Sequence, residues 1–327
     1  MPLATADAVM VILWGINGFA QAMLWPPIVK ILSGYLTHDQ YVTANVIVTS
    51  AAHVATILLY LYAPICLKFM SWKMVFFTSS AIAIFALVLF VASLSFVLPK
   101  EPSVANVKKK AKNEATGEPV LTLFRKTGVI PLFFCIIACG FLRDGIESWL
   151  PTLYSEAFNR AAEESILVSV ILPIFSIVSI MLVKIIYRNK LFNNEASGSA
   201  ILFCVAVVIC IPLAFFISID TVWARIVSLI LTALVCATMH GINFFLIAGI
   251  PGRFANSGRA STVSGFTNAF IYVGAAIATY GIALISDSLG WTVTIIFWIA
   301  VAVFGVIMTI PAYKRYTNFI NSDKTSE

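Results

Sequence analysis

Apolar runs recur along nearly the whole chain, each long enough to cross a hydrocarbon layer about 30 Å thick, which takes around 20 helical residues. Nine are found, at 7–33, 42–67, 73–98, 129–154, 165–187, 198–218, 222–249, 260–285 and 290–313. Hydrocarbon offers no partner to a bare backbone amide, so a spanning segment satisfies its own hydrogen bonds as a helix or joins a closed barrel. The runs lack the ten-residue alternation of barrel strands. The expected fold class is therefore all-α, a polytopic membrane helix bundle of nine transmembrane helices. Composition agrees: 60% of the 327 residues are hydrophobic and 11% charged, against roughly a quarter charged in a soluble domain. The first run carries Asp7, has no basic leader and is too long for a signal peptide, so it reads as a span.

The distribution of Lys and Arg orients the bundle, because these residues favour cytoplasmic loops. One face collects sixteen of the 21 basic residues, seven of them between 100 and 126. The opposite face has four: Lys68, Lys73, Arg160 and Arg225. The C-terminus is then expected in the cytoplasm and, with nine crossings, the N-terminus outside. The expected location is the plasma (inner) membrane, with the lipid bilayer as the main partner and a monomer sufficient.

The stretch PKEPSVANVKKKAKNEATGEPVLTLFRK is the only long polar segment. It reads as a flexible cytoplasmic connector at 99–127, dividing a front part of three helices (1–98) from a back part of six helices and a short tail (128–327). Its KKKAK run fits a solvated linker obeying the charge bias, and no nucleic-acid partner is expected. Two six-helix halves joined by such a loop would place three more spans in front. Thr49-Ser50-Ala51 also recurs as Thr267-Asn268-Ala269 in the eighth run. The six cysteines all lie in apolar runs and imply neither a disulfide framework nor a zinc cluster. No cofactor is expected.

Charge inside the membrane is the chief functional signal, because an ionised side chain at bilayer depth is costly unless it faces a bundle interior. FLRDGIESWLPTLY puts Arg143, Asp144 and Glu147 in the fourth run, with Arg143 roughly 21 Å into a core of about 30 Å. Two readings stand. Glu147, four residues on, shares a helix face with Arg143 and forms an internal salt bridge, or the guanidinium fork receives phosphate or carboxylate oxygens. Pro151 removes a backbone bond near the outer end, as a bend or a simple helix end.

The first run carries Asn17, Gln21 and Trp25 at four-residue intervals before Pro26-Pro27 weakens the ladder. Such a stripe lines a cavity or makes interhelical hydrogen bonds. His53 lies near the middle of the second run, as a packing residue, an anion donor or a proton carrier. His240 and Asn243 in the seventh run, with Asn268 and Tyr272 in the eighth, add polar groups to the interior.

WGINGFAQAMLWPP resembles the fourth helix of the organophosphate:phosphate antiporter family, the glycerol-phosphate and hexose-phosphate permeases of the major facilitator superfamily. TSAAHV resembles its fifth helix, FLRDGIESWLPTLY its seventh, and GRASTVSGFTNAFIYVGAAIATYGIALISDSLGW its eleventh and the turn into the twelfth. The nine runs would be helices four to twelve. The resemblance implies that Arg143 is one of two arginines, one per half, gripping a substrate phosphoryl group, the other belonging to a first helix this sequence lacks. It implies that His53 joins them and that Gln21, Trp25 and Tyr272 occupy cavity positions. It also implies rocker-switch exchange about a midplane site.

Three departures stand out. Gly140 replaces an expected tyrosine, the loop KIIYRNKLFNNEASG lacks the usual acidic-basic signature, and Asp144 and Glu147 make the pocket more negative than a phosphate clamp wants. The expected function is exchange of a small organic anion, such as a sugar phosphate or glycerol phosphate, for phosphate. The candidate substrate-binding residues are Arg143, His53, Gln21, Trp25, Tyr272 and Asn268, with Glu147 and Asp144 for coupling or gating. The alternatives are proton-coupled symport of another metabolite through Glu147 or Asp144, and a sugar-phosphate sensor or truncated product that transports nothing. An enzyme is the weakest rival, because no nucleophile pair or metal-binding spacing appears in the spans.

Overall fold

Each apolar run becomes a helix, and prolines, glycines and polar caps mark where helices break. The computed structural model describes residues 6–97, 119–189, 192, 194–254 and 258–324, and every element among them is helical. The first span is α1 (Asp7–Ala22) followed by α2 (Trp25–Tyr35). The break falls just before Pro26-Pro27, whose missing N–H groups cost nothing in a first helical turn. Then come α3 (His38–Phe69), where the Thr37 N–H donates to the Gln40 side chain at 3.0 Å, and α4 (Trp72–Val97).

The connector falls mostly outside the described residues, but its last part is not loop. Residues Val120–Thr127 form a short helix, α5, ended by Gly128 in the left-handed conformation at φ 73°. The chain then bends by 88° into α6 (Ile130–Phe158). A Cβ at residue 128 would be strained by that φ and would lie 2.7 Å from Arg315 Cβ, so glycine fits on both counts. Eight residues with a polar face are too few to span, which is why they read as linker.

The fifth span is α7 (Ala162–Val168) with α8 (Ile171–Arg188). Next is α9 (Glu195–Phe216), capped by Asn194 Oδ1, which accepts from the Ser197 N–H at 2.9 Å. It is followed by α10 (Val222–Asn243), a π-helical turn (Phe244–Gly249) and α11 (Ile250–Arg253). The last element, α12 (Ala260–Lys324), is broken at Gly290, whose φ of 80° and ψ of 172° are not helical. Its two parts, 260–289 and 291–324, are each of spanning length. Among the described residues, seven continuous helical stretches and the bent α5–α6 pair are long and apolar enough to cross a membrane. Dividing α12 at Gly290 gives nine spans, in register with the nine apolar runs. Pro151 does not end its helix, since α6 continues to Phe158 and closes at Asn159 in the left-handed conformation.

The main core runs through α6 to α12 and is filled by residues such as Leu142, Ile146, Phe203, Met239, Ile282 and Trp298. The tightest seam joins α6 to the first part of α12, where Gly140 lies on the Ile271 carbonyl and Gly274 on the Ile137 carbonyl. Glycines let two helix backbones touch where hydrocarbon supplies no hydrophobic drive to associate. Cys135 Sγ contacts the Gly305 carbonyl at 3.5 Å and Cys139 Sγ the Met239 carbonyl at 3.3 Å, so both serve packing. By contrast α1 and α4 bury no described residue, and α3 buries Tyr41, Asn45, Val46, His53 and Cys66. Their outer faces are apolar, which suits lipid contact.

Candidate functional site

The intramembrane charges gather where three helices meet, two of them near their midpoints. Arg143 is the fourteenth of the 29 residues of α6, and His53 is the sixteenth of the 32 residues of α3. The third contributor is α10, through His240 and Asn243 near its end.

Arg143 is bound in a way its spacing does not foretell. Its Nε donates to Asp144 Oδ1 at 2.7 Å and its Nη2 to Asp144 Oδ2 at 2.9 Å, a two-pronged carboxylate pair. Its Nη1 donates to Asn243 Oδ1 at 2.6 Å. The salt bridge expected with Glu147 is not formed. Glu147 instead meets His240, with Oε1 and Nε2 2.7 Å apart. Residues four apart share a helix face, but a planar guanidinium gains more from two parallel bonds to Asp144 than from one contact along the helix. Glu147 is left to a neighbour the sequence could not place beside it.

His53 approaches from α3. Its ring lies edge-on to that of His240, with centroids 4.4 Å apart. Its Nε2 is buried and has no hydrogen-bond partner among the described residues. One turn before His240 on the same face, Cys236 Sγ is 4.0 Å from Glu147 Oε1, and Tyr60, two turns beyond His53, donates to the Glu147 backbone carbonyl at 3.4 Å. Six polar side chains from three helices thus form one cluster: Arg143, Asp144, Glu147, His240, Asn243 and His53.

The other candidates lie apart. Asn268 is buried, Tyr272 is 45% exposed and Gln21 is exposed. Trp25 packs against the main core, its indole N–H without a hydrogen-bond partner among the described residues. None of the four hydrogen-bonds to Arg143, Glu147 or His53 among the described residues. Gln21 and Trp25 also fall on opposite sides of the α1–α2 break, which disrupts the single face their spacing implied.

A second buried cluster escaped sequence reading. Glu195, at the start of α9, is fully buried and accepts from Arg253 Nε at 2.8 Å, Tyr187 OH at 3.0 Å and Tyr316 OH at 3.2 Å. The loop before it lacks an acidic-basic signature in sequence because the basic partner comes from α11, 58 residues further on.

A bundle of membrane-length apolar helices among the described residues, with an ionic cluster inside it, defines a polytopic membrane protein. The profile of the Major Facilitator Superfamily matches residues 1–279, and the chain belongs to that superfamily. No curated protein matches it significantly. Membership makes it a membrane-embedded secondary transporter in general terms.

Proposed function

We propose that the chain moves a small organic anion of the sugar-phosphate or glycerol-phosphate class in exchange for phosphate, by alternating access, in the plasma membrane with its C-terminus in the cytoplasm. One observation carries this reading. The mid-membrane guanidinium of Arg143 is held by a single removable carboxylate and one amide oxygen, with only 15% of its side chain accessible. Asp144 has the charge and geometry of cargo. An incoming phosphoryl group takes its place on the fork, Asp144 swings away, and the released carboxylate re-forms the pair once the anion leaves. The unloaded charge is thereby never left unpaired, which would be costly at this depth. The quoted motifs of α1–α3, α6 and α12 support the substrate class.

The test is uptake into liposomes holding the full chain and loaded with phosphate. Labelled glycerol phosphate and hexose phosphate should enter only when phosphate is inside. Arg143→Lys should abolish exchange while the protein is still made and inserted, because an ammonium cannot reproduce the two-pronged contact. Asp144→Asn removes the resident competitor and should lower the apparent KM about tenfold, the equivalent of roughly 1.5 kcal/mol for a hydrogen bond to a charged group. Unchanged kinetics in Arg143→Lys would remove that residue from the site. Uptake driven by a pH gradient without internal phosphate would replace exchange by proton symport, and binding without uptake would make the chain a sensor.

A further inference from the structure

We propose that His53, Glu147 and His240 form a binding site for a divalent transition-metal ion of the zinc class, assembled between α3 on one side and α6 and α10 on the other. Each residue offers one donor atom, and the three donors lie within 4.8 Å of one another. Two imidazoles and a carboxylate form a donor set suited to Zn²⁺, Co²⁺ or Ni²⁺, whereas Mg²⁺ and Ca²⁺ prefer all-oxygen surroundings.

Three further observations point to a cation. The Nε2 of His53, a residue only 8% exposed, is buried without a hydrogen-bond partner among the described residues, an orphaned donor or acceptor that costs free energy until something binds it. The cluster also holds two carboxylates, Asp144 and Glu147, against one guanidinium, so with neutral histidines it carries one net negative charge at mid-depth. A divalent ion reverses that sign and removes the departure from a phosphate clamp noted in the sequence. Finally, Cys236 on the His240 face of α10 supplies a soft atom 4.0 Å from Glu147 Oε1, close enough to complete a four-donor shell after a side-chain shift.

The required movement is small. Donors of a tetrahedral ion about 2.0–2.2 Å from each sit roughly 3.3 Å apart. The Glu147–His240 contact of 2.7 Å therefore opens slightly as the ion takes the place of the hydrogen between them, the imidazole keeping its one proton on Nδ1, and His53 closes in. Because α3 is held by few buried residues, it can make that approach without disturbing the α6–α12 core. Bound metal would tie α3 to α6 and α10. The proposal does not depend on which anion is carried, since its readout is metal content.

The experiment strips the full chain, purified in detergent, with a chelator, adds Zn²⁺ or Co²⁺, and measures bound metal by mass spectrometry and the Co²⁺ absorption in the visible. One ion per chain is expected, with Co²⁺ bands of a low-coordinate site and no displacement by excess Mg²⁺. His53→Ala, His240→Ala and Glu147→Gln should each weaken binding by more than about tenfold, since loss of a ligand costs at least as much as loss of an outer-shell partner. Cys204→Ser, an exposed position elsewhere, should leave it unchanged. Gel filtration identifies any variant that misfolds. His53→Ala carries the test in that event, because α3 contributes least to the core of the three helices that supply donors. Absence of stoichiometric metal, or binding that survives in His53→Ala, overturns the proposal.

Discussion

Gly140→Val and Gly274→Val should each abolish accumulation of folded protein, while Gly15→Ala should be harmless. At residue 140 a Cβ would collide with the Ile271 carbonyl oxygen and lie 2.9 Å from its carbon, and at residue 274 it would collide with the Ile137 carbonyl oxygen and lie 2.8 Å from the Phe141 nitrogen. These are backbone atoms, so no rotamer change relieves the clash and α6 must part from α12 along their seam. Overpacking a well-filled core costs about 1–3 kcal/mol. A forced separation of two main chains lies at or above the top of that range, beyond what a marginally stable bundle tolerates. A Cβ at residue 15 would meet no neighbouring atom within 4 Å beyond its own helix turn among the described residues, and alanine there gains about 0.5–1 kcal/mol of helix propensity. Monodisperse yield after detergent extraction separates the cases, and folded Gly140→Val at normal yield would show the seam to be looser than drawn. The same contact explains why residue 140 is not the tyrosine that the motif resemblance implied: one turn before Arg143, α6 has no room for a side chain.

How much of this was legible in the sequence depended on how far apart the interacting residues lie. Span number followed from apolar run length alone; the break at Gly290 falls at the start of the ninth run and that before Pro26-Pro27 inside the first, because each disrupts the helical ladder locally. The helix α5 was not legible, since its direction depends on Gly128 meeting Arg315 from the far end of the chain. Within the charged cluster, Arg143, Asp144, Glu147 and His53 stood out because charge and imidazole are rare at bilayer depth. Their pairing did not. The four-residue rule offered Glu147 to Arg143 as one of two readings, whereas its partner His240 is 93 residues away on another helix, a separation no periodic pattern encodes. Asn243 was visible as one polar residue among several, and only its 2.6 Å contact with Arg143 distinguishes it from Asn268.

The second large effect is expected at Glu195, where Glu195→Leu should destabilise the bundle by about 3–5 kcal/mol, the cost of leaving a buried charge without its partner. The carboxylate is fully buried and satisfies Arg253, Tyr187 and Tyr316 at once, joining α8, α9, α11 and the second part of α12. Without it the Arg253 guanidinium, 23% exposed, keeps only Tyr187 OH at 2.9 Å among the described residues, and the Tyr316 hydroxyl loses its acceptor. Glu195→Gln should be milder, because an amide oxygen still accepts. The decisive comparison is Glu195→Leu with Arg253→Met. Replacing both members of a buried ion pair by apolar groups is often neutral or stabilising, so the double variant should unfold at a higher temperature than Glu195→Leu alone. A double variant no better than the single would mean that the carboxylate acts through the two tyrosines rather than through Arg253. The effect should reach α3 as well: Tyr41 OH donates to the Ala248 carbonyl at 3.0 Å, and its ring sits over Gly252, next to Arg253. Loosening α11 therefore weakens one of the contacts by which α3 docks on the back part of the chain, and α3 carries His53 into the charged cluster.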